Sequence, residues 1–476
     1  MNTFWLKVAA LAVAVTVLIV LAGVFWPSGR QASEDGREQG QAAAVGEADS
    51  QGETNAEPQE SGPQAQYKPN PKVDYVARIN ELARAGRPEN LNAAPFYQKA
   101  VELVVAGTGE QTKLARNGWP ADYSSKERAS LKGWVQSNSQ ALAELERAAQ
   151  RPYYWCERSS EDGSAMGIRI DELAGFRQLS FALVGRARLA VAEGNVDQAV
   201  KDVLTCYRFG SHVGGAPMLI EQLVGIAITT LALNAAFDVI DRTEPGPGVL
   251  ENVQRQIEKL STDEPRVCDM RAERLGMLDA IQRVFSDDGE GDGRIHVESA
   301  KALGMSEQDI ESCRKLGRHK TTEAVEKWFE YADSVAKKTP WQWKNEKTEV
   351  DEEFARMTEE TLLSGQWSAL TRLTEINARC RAHRDGLITT LAVLRYRADK
   401  GELPGKLEEL VPAGYLSAVP DDPFSDGKLV YKRIGQDFTL YSFGEDYDDD
   451  GATRPIRGFV DKGGDQVFWP VKRANR

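Results

Sequence analysis

The sequence predicts a mainly α-helical protein in which one transmembrane helix precedes a multi-helix body. Residues 73–400 consist of amphipathic runs separated by Gly and Pro, the pattern of successive helices. Alternating apolar and polar patterns, which indicate strands, are scarce in the same range. An uncharged apolar run near the N-terminus is long enough to cross a bilayer. These observations favour an anchored helical protein with a smaller module at its C-terminal end.

Charge and composition restrict the possible functions. The 476 residues include 59 Lys and Arg against 72 Asp and Glu, a formal net charge of −13. This acidic excess argues against a nucleic-acid partner, because phosphate backbones bind basic surfaces. The four His are not spaced as paired metal ligands, and no Walker A or GxSxG motif occurs. The residues therefore identify no catalytic site.

The first element is a predicted signal-anchor over residues 1–26. Val8–Trp26 is a 19-residue run without a charge, which as a helix spans roughly 28 Å, close to one hydrocarbon core. Lys7 and the free amino group lie on its short side, which favours a cytoplasmic N-terminus and an extracytoplasmic bulk. A cleaved signal peptide, with Leu21–Gly23 as the small-residue site, is the alternative; the length of the run favours a retained single-pass anchor.

Residues 27–72 are predicted to be a disordered stalk. Val45 and Tyr67 are the only larger apolar or aromatic side chains in this stretch, which is rich in Gly, Gln, Ala and acidic residues. Such a segment cannot bury enough apolar surface to offset the entropy of ordering. We expect it to separate the folded part from the membrane.

Residues 73–365 are predicted to be the helical body. Phe176–Phe209 has apolar positions at spacings of three and four with a break at 193–195, which predicts two helices. The pair resembles a single tetratricopeptide-type hairpin, although repeats at the family period of about 34 residues are absent. Ala216–Val239 is apolar enough for a second span, but Glu221 and Gln222 interrupt it, and a buried core helix is favoured. Further helices are predicted over Val249–Leu260, Pro265–Phe285, Thr321–Lys338 and Thr348–Leu363, and from Gln366 to about Lys400.

An acidic loop and the cysteines leave alternatives open. Asp288, Glu290 and Asp292 occupy loop positions 1, 3 and 5 of a calcium-loop spacing, but position 12 is Ser299. A solvated turn is favoured over a cation site. The five cysteines are consistent with buried small side chains or, in an exported protein, with one or two disulfides. They are Cys156, Cys206, Cys268, Cys313 and Cys380.

The C-terminal module, residues 366–476, contains four short motifs in a defined order. They are Tyr396–Pro404 (YxxDxGxxP), Asp422–Phe424 (DPF), Gly427–Tyr431 (GxxxY) and Ser442–Asp446 (SxGxD). Over about residues 376–470 this order resembles the globular domain of the major pseudopilin of type II secretion systems. The resemblance implies a long helix packed on a short antiparallel sheet, with strands near Lys428–Arg433 and Phe438–Ser442. The N-terminal run lacks the leader pattern of that family, so the resemblance implies the fold rather than filament assembly.

The same resemblance implies a calcium site. In pseudopilins the loop after the SxGxD motif binds calcium, and Asp446 and Asp465 fall at matching positions. Asp448 and Asp450 add carboxylates between them. Four close carboxylates repel one another unless a cation lies among them. We therefore predict Asp446, Asp448, Asp450 and Asp465 as calcium ligands, with a plain solvated acidic turn as the alternative.

These features together predict a membrane-anchored extracytoplasmic protein without enzymatic activity. We expect a structural or interaction role in the cell envelope, with protein partners there and a link to secretion or pilus-like machinery. One alternative is an extracytoplasmic hydrolase with an unrecognised site in the helical body. Another is a helical peptide-binding or chaperone-like scaffold. A cleft lined by titratable groups of shifted pKa would favour the hydrolase, and an apolar surface groove would favour binding.

Overall fold

The computed structural model describes residues 73–117, 122–261, 268–286, 292–303, 305–346, 352–353, 366–455 and 463–471. The predicted signal-anchor and stalk lie outside the described residues. So does the predicted helix Thr348–Leu363, apart from Glu352 and Glu353.

The described residues form fourteen α-helices and one three-stranded sheet. The first seven helices are α1 (Tyr75–Arg84), α2 (Ala94–Leu103), α3 (Gly109–Asn117), α4 (Ser125–Ser137), α5 (Ser139–Ala149), α6 (Leu173–Ala192) and α7 (Val196–Gly214). The other seven are α8 (Leu219–Thr243), α9 (Pro247–Ser261), α10 (Arg271–Val284), α11 (Val297–Ala302), α12 (Glu307–Ala336), α13 (Pro340–Asn345) and α14 (Gln366–Lys400). The strands are β1 (Val430–Ile434), β2 (Asp437–Ser442) and β3 (Gln466–Trp469). The prediction of a mainly helical chain is confirmed.

The predicted helical hairpin is present as α6 and α7. Gly194 has φ of 77°, a left-handed conformation that glycine adopts without strain. Asn195 then caps α7, because its side-chain oxygen accepts a hydrogen bond from the backbone N–H of Gln198 at 3.1 Å. The sequence Gly-Asn therefore both ends one helix and starts the next.

Helix α8 is the central buried helix of the fold. Within the described residues it is the one helix long and apolar enough to cross a membrane, and 78% of its most apolar window is buried inside the protein. It packs along α7, α6 and α14. The prediction of a core helix at this position is confirmed.

Helices α7 and α8 touch backbone to backbone. A Cβ atom added to Gly225 would lie 2.1 Å from the backbone nitrogen of Gly214. One added to Gly210 would lie 2.6 Å from the backbone nitrogen of Thr229. Glycine at these positions permits a contact that any larger side chain would separate.

A second apolar cluster is built from α10, α11 and α12 and contains Trp328 and Phe329. Helix α12 is interrupted at Gly317, which has φ of 76° and ψ of 170°. Helical residues lie on both sides of this kink and begin at Glu307. The predicted helix from Thr321 to Lys338 therefore starts too late. The helix predicted from Pro265 begins at Arg271.

The C-terminal module consists of α14 against the sheet. The strands are antiparallel in the order β1-β2-β3, with Val430 opposite Tyr441 and Ser442 opposite Gln466. The ring of Phe468 in β3 packs on α14 at Gly386, where an added Cβ would lie 2.4 Å from the ring. The two predicted strands are confirmed, and β3 is a strand that the sequence pattern did not predict.

One cluster of buried apolar residues joins the helical body and the C-terminal module. It continues from Tyr97 in α2 through α6, α7, α8 and α9 to Leu391 in α14 and Phe468 in β3. The sheet therefore shares its core with the helices.

The chain enters the described fold at Val73, which is bound to α10. The Gln282 side chain accepts a hydrogen bond from Val73 N at 3.2 Å and donates one to Val73 O at 2.8 Å. Both backbone groups of Val73 are thereby paired with one side chain.

Candidate calcium site

The candidate site lies where β2 ends and β3 begins. Because the two strands are antiparallel and Ser442 pairs with Gln466, Asp446 and Asp465 come to the same end of the sheet. The Asp446 carboxylate accepts a hydrogen bond from the backbone N–H of Gly464, directly before Asp465. The structure thus brings together two predicted ligands that are distant in sequence.

Asp450 lies beside Asp446 in this loop. The pKa of Asp450 is raised by desolvation, by a hydrogen bond with the Asp446 carboxyl group and by the charges of Asp446, Asp448 and Asp449. The raised pKa of Asp450 reflects its closeness to other carboxylates. A divalent cation would relieve the same repulsion.

Asp465 is the buried member of the group. Its side chain has no exposed surface, and its Oδ2 accepts a hydrogen bond from Ala452 N at 2.6 Å. Its Oδ1 is buried with no hydrogen-bond partner. Burial, with the charges of Asp449 and Asp450, raises the pKa of Asp465 to about 6. A buried carboxylate oxygen without a partner is costly, and the nearby charges of Asp449 and Asp450 add to that cost.

The remaining two aspartates contact their own turn. Asp448 Oδ1 accepts a hydrogen bond from Asp449 N at 3.0 Å. Asp449, which the sequence did not single out, accepts hydrogen bonds from the Tyr441 hydroxyl at 2.7 Å and from Gly451 N at 3.0 Å. The Tyr441 hydrogen bond comes first among the causes that lower the pKa of Asp449. Asp449 therefore ties the loop to β2.

A buried ion-pair network joins the candidate site to α14. Glu445, directly before Asp446, is 2% exposed and accepts hydrogen bonds from Arg372 at 2.6 Å and Arg379 at 3.2 Å. Burial raises the pKa of Glu445, but the charges of Arg379 and Arg372 outweigh burial and hold it below its usual value. Gln466, directly after Asp465, donates to Arg379 O at 3.2 Å. No local sequence pattern indicates this network, because its members are far apart in the chain.

Asp422 of the DPF motif secures the start of the loop. Its carboxylate accepts hydrogen bonds from the Ser442 hydroxyl at 2.6 Å, Phe443 N at 2.9 Å and Phe424 N at 3.0 Å. The motif residues Asp422 and Ser442 are therefore direct hydrogen-bond partners, and their side chains hold the two segments of this turn together.

The four predicted ligands do not yet form a closed cage. Within the described residues, no three His, Cys, Asp or Glu side chains surround a common point as metal ligands do. Asp446, Asp450 and Asp465 lie together, whereas Asp448 is directed to its own turn. Cation binding would therefore exchange backbone hydrogen bonds of Asp446 and Asp448 for metal contacts.

The other predicted acidic loop is used differently in the part that the structure describes. Asp288 and Glu290 lie outside the described residues. Asp292 Oδ1 accepts a hydrogen bond from His319 N at 2.7 Å, and Asp292 O accepts one from Arg318 N at 3.3 Å. Asp292 therefore caps the helical segment that restarts after Gly317.

Two cavities lie beside α14 in the described structure. The larger, of about 390 Å³, has Lys337, Arg381 and Asp385 in its wall, and the smaller, of about 50 Å³, lies between α7, α8 and α14. The two most shifted histidines, His212 and His383, line neither cavity. Burial lowers the pKa of each to about 3, which makes both neutral parts of the packing.

No protein-family model, curated protein sequence or solved structure matches this chain. The motifs and the geometry of the C-terminal loop are therefore the basis for a functional proposal.

Proposed function

We propose that this chain is a membrane-anchored, extracytoplasmic interaction protein of the cell envelope, without enzymatic activity, whose pseudopilin-like C-terminal module binds calcium. The observation that carries the calcium proposal is the buried Asp465 Oδ1, which has no hydrogen-bond partner, in a carboxyl group whose pKa is also raised by the charges of Asp449 and Asp450. Hard cations take carboxylate and backbone oxygens as ligands, and both are concentrated there.

The pseudopilin-like fold is supported by agreement between motif order and packing. Helix α14 packs on an antiparallel sheet whose first strand begins within the GxxxY motif and whose second strand ends at the first residue of the SxGxD motif. The DPF motif and the SxGxD motif are joined by the hydrogen bond between Asp422 and Ser442. These relationships favour a common architecture for the module.

An extracytoplasmic position would supply the ligand. Extracellular calcium modules of modest affinity have dissociation constants of about 10⁻⁴ to 10⁻³ M. A site occupied at a hundred times its dissociation constant stabilises the folded state by about 2.7 kcal/mol. Calcium bound at Asp465 would also remove the penalty of burying that charge alone.

The hydrolase alternative lacks a supporting observation among the described residues. Glu273, whose pKa burial raises to about 8, lies in the helix packing and lines neither of the two cavities described above. Cys268 lines both cavities, but burial raises the pKa of its thiol to about 12, so the thiol stays protonated and is a poor nucleophile at neutral pH. Glu273 accepts a hydrogen bond from Leu219 N at 2.7 Å and so serves the start of α8. The interaction role therefore remains the proposal that we favour.

Calorimetry and thermal melts of the full chain in detergent test the calcium site. We expect heat on titration with calcium, and a melting temperature that rises with calcium and falls with chelator. Asp465→Asn and Asp446→Ala should abolish the response, whereas Asp426→Asn, at an exposed position of the same module, should keep it. Identical melts with and without chelator, together with no heat of binding, would leave only a solvated acidic turn.

The position in the envelope has its own test. Protease added to intact spheroplasts should digest the body of an extracytoplasmic protein and spare a cytoplasmic control. Detergent extracts should then be examined for envelope proteins that co-purify with the chain. A body protected from protease until the membrane is lysed would contradict the proposed position without affecting the calcium experiment.

A further inference from the structure

We propose that Cys268 and Cys380 form a disulfide, a modification site that links the segment before α10 to the long helix α14. Both residues lie in the wall of the small cavity between α7, α8 and α14. Its volume is about 50 Å³, so the two cysteines border the same small space between these helices.

Contacts with one turn of α8 limit the separation of the two residues. The Gln222 side chain accepts a hydrogen bond from Asp269 N and donates one to Asp269 O, both at 2.8 Å, which fixes the backbone next to Cys268. The Cys380 sulfur lies 4.0 Å from Ile226 O. Gln222 and Ile226 are four residues apart on the helix, a rise of about 6 Å. The segments that carry the two cysteines therefore contact adjoining positions of one helix, and a disulfide between them requires Cα atoms about 4.4–6.8 Å apart.

The charge environment agrees with this proximity. Burial raises the pKa of the Cys268 thiol to about 12, and the neighbouring Glu273, Asp269 and Cys380 add to the increase. Because thiolate is the reacting form, the folded protein should oxidise slowly near neutral pH. We therefore expect the bond to form while the chain folds, before the cavity closes.

The other three cysteines have no comparable neighbour. The structure describes all five cysteines as thiols. Cys206 is buried in the main apolar cluster, and Cys313 is buried in the second one. Cys156 lies beside Gln98 and lines neither of the two cavities. A single pair is thus expected, with three thiols remaining.

The chemistry requires a disulfide oxidant. One thiolate attacks the oxidant and forms a mixed disulfide, and the second thiolate then displaces the oxidant's remaining sulfur. The Cys268–Cys380 bond forms and the oxidant's disulfide is reduced to two thiols. The two protons that the protein thiols lose are taken up by the two thiolates released from the oxidant. In cells this rests on the proposed extracytoplasmic position, where protein disulfides persist.

The bond would enclose one structural unit. Residues 268–380 include α10, α11, α12 and α13 and the whole second apolar cluster. The link would join the start of this unit to α14, which belongs to the main cluster. It would therefore restrict separation of the two clusters.

Thiol counting on the purified full chain tests the proposal. The protein is refolded at pH 8.5 with a mixture of reduced and oxidised glutathione, alkylated, digested without reductant and analysed by mass spectrometry. We expect a cross-linked peptide containing Cys268 and Cys380, and three alkylated cysteines in each chain. Cys313→Ser should retain the cross-link, whereas Cys268→Ser and Cys380→Ser should each lose it. Reductant should lower the melting temperature of the oxidised wild type and leave that of Cys380→Ser unchanged.

Five alkylated cysteines after oxidative refolding, or a different cross-linked pair, would overturn the disulfide. The refolding experiment does not depend on the position of the protein in the cell. Protein extracted from cells under alkylating conditions adds the second arm: the cross-link should already be present. Its absence there, when refolding produces it, would contradict the extracytoplasmic position rather than the pairing.

Discussion

Arg379 in α14 donates a hydrogen bond to Glu445 at 3.2 Å, and its own carbonyl oxygen accepts one from Gln466 at 3.2 Å. One residue of the helix thus contacts the neighbour of Asp446 and the neighbour of Asp465. The two chain segments that bring these aspartates together are therefore positioned by the same turn of α14. This relationship makes the candidate site sensitive to a residue that contributes no ligand.

Glu445→Gln should destabilise the protein by roughly 3 kcal/mol, because it removes the buried carboxylate that Arg372 and Arg379 share. Since the pKa of Glu445 lies below 4.5 in the folded state, its contribution is fully present above pH 4.5 and is lost as the pH falls through the folded value. Urea unfolding at pH 7 and pH 3 measures this difference. Glu402→Gln at an exposed position is the control, and an equal effect of both variants would argue against the network.

Calcium affinity should fall in acid because of Asp465. Its folded pKa of about 6 lies above the usual 3.8, so protonation stabilises the calcium-free fold below pH 3.8 and that stabilisation is lost as the pH rises through 6. Calcium must displace this proton, and binding at pH 5 should be about tenfold weaker than at pH 7.5. Titration calorimetry at the two pH values measures the ratio.

The same buried charge predicts opposite effects of one substitution. Without calcium at pH 7.5, Asp465→Asn should stabilise the fold by about 1–3 kcal/mol, since it removes an ionised group that lacks a partner for Oδ1. With saturating calcium the variant should be the less stable protein. A variant that is destabilised equally in both conditions would indicate a purely structural role.

Gly225→Ala should destabilise the protein by about 3 kcal/mol, because the added methyl group would meet the backbone of α7 rather than a movable side chain. Gly133→Ala is the matched control: this position in α4 is exposed, with no atom within 4 Å of the added Cβ. There alanine should stabilise the helix by about 0.5–1 kcal/mol. Thermal melts of both variants give the comparison.

Removal of the predicted stalk should leave stability unchanged within about 0.5 kcal/mol. Chains that begin at Pro27 and at Tyr67 both lack the predicted anchor, so they differ in the stalk alone. Both should be soluble and should unfold in urea with the same midpoint and slope. A lower midpoint or aggregation of the shorter chain would assign residues before Tyr67 to the fold.

Local sequence signals predicted the elements whose cause is local. Glycine followed by a capping asparagine marks the break at Gly194 and Asn195, and the long apolar stretch marks α8. Strand β3 was missed because Gln466–Trp469 is four residues long and buried throughout, so no alternation is visible. The kink at Gly317 was missed because Asp292, which caps the next segment, lies far from it in sequence.

The candidate site likewise contains residues that local sequence signals predicted and residues that they did not. Asp446 and Asp465 were predicted from their motif positions, and antiparallel pairing brings them together. Asp449, Glu445 and Arg379 were not, because their roles arise from contacts between α14, β2 and the loop. These tertiary contacts decide which aspartates are available to a cation and which support the turn.

The two hydrogen bonds between Gln282 and Val73 have a mechanical consequence. Tension applied at Val73 acts on the Gln282 side chain, because that side chain pairs both backbone groups of Val73. Gln282 belongs to α10, which contributes to the second apolar cluster. A pull on the chain at Val73 would therefore load the helix that carries the smaller cluster, rather than the sheet that carries the candidate calcium loop.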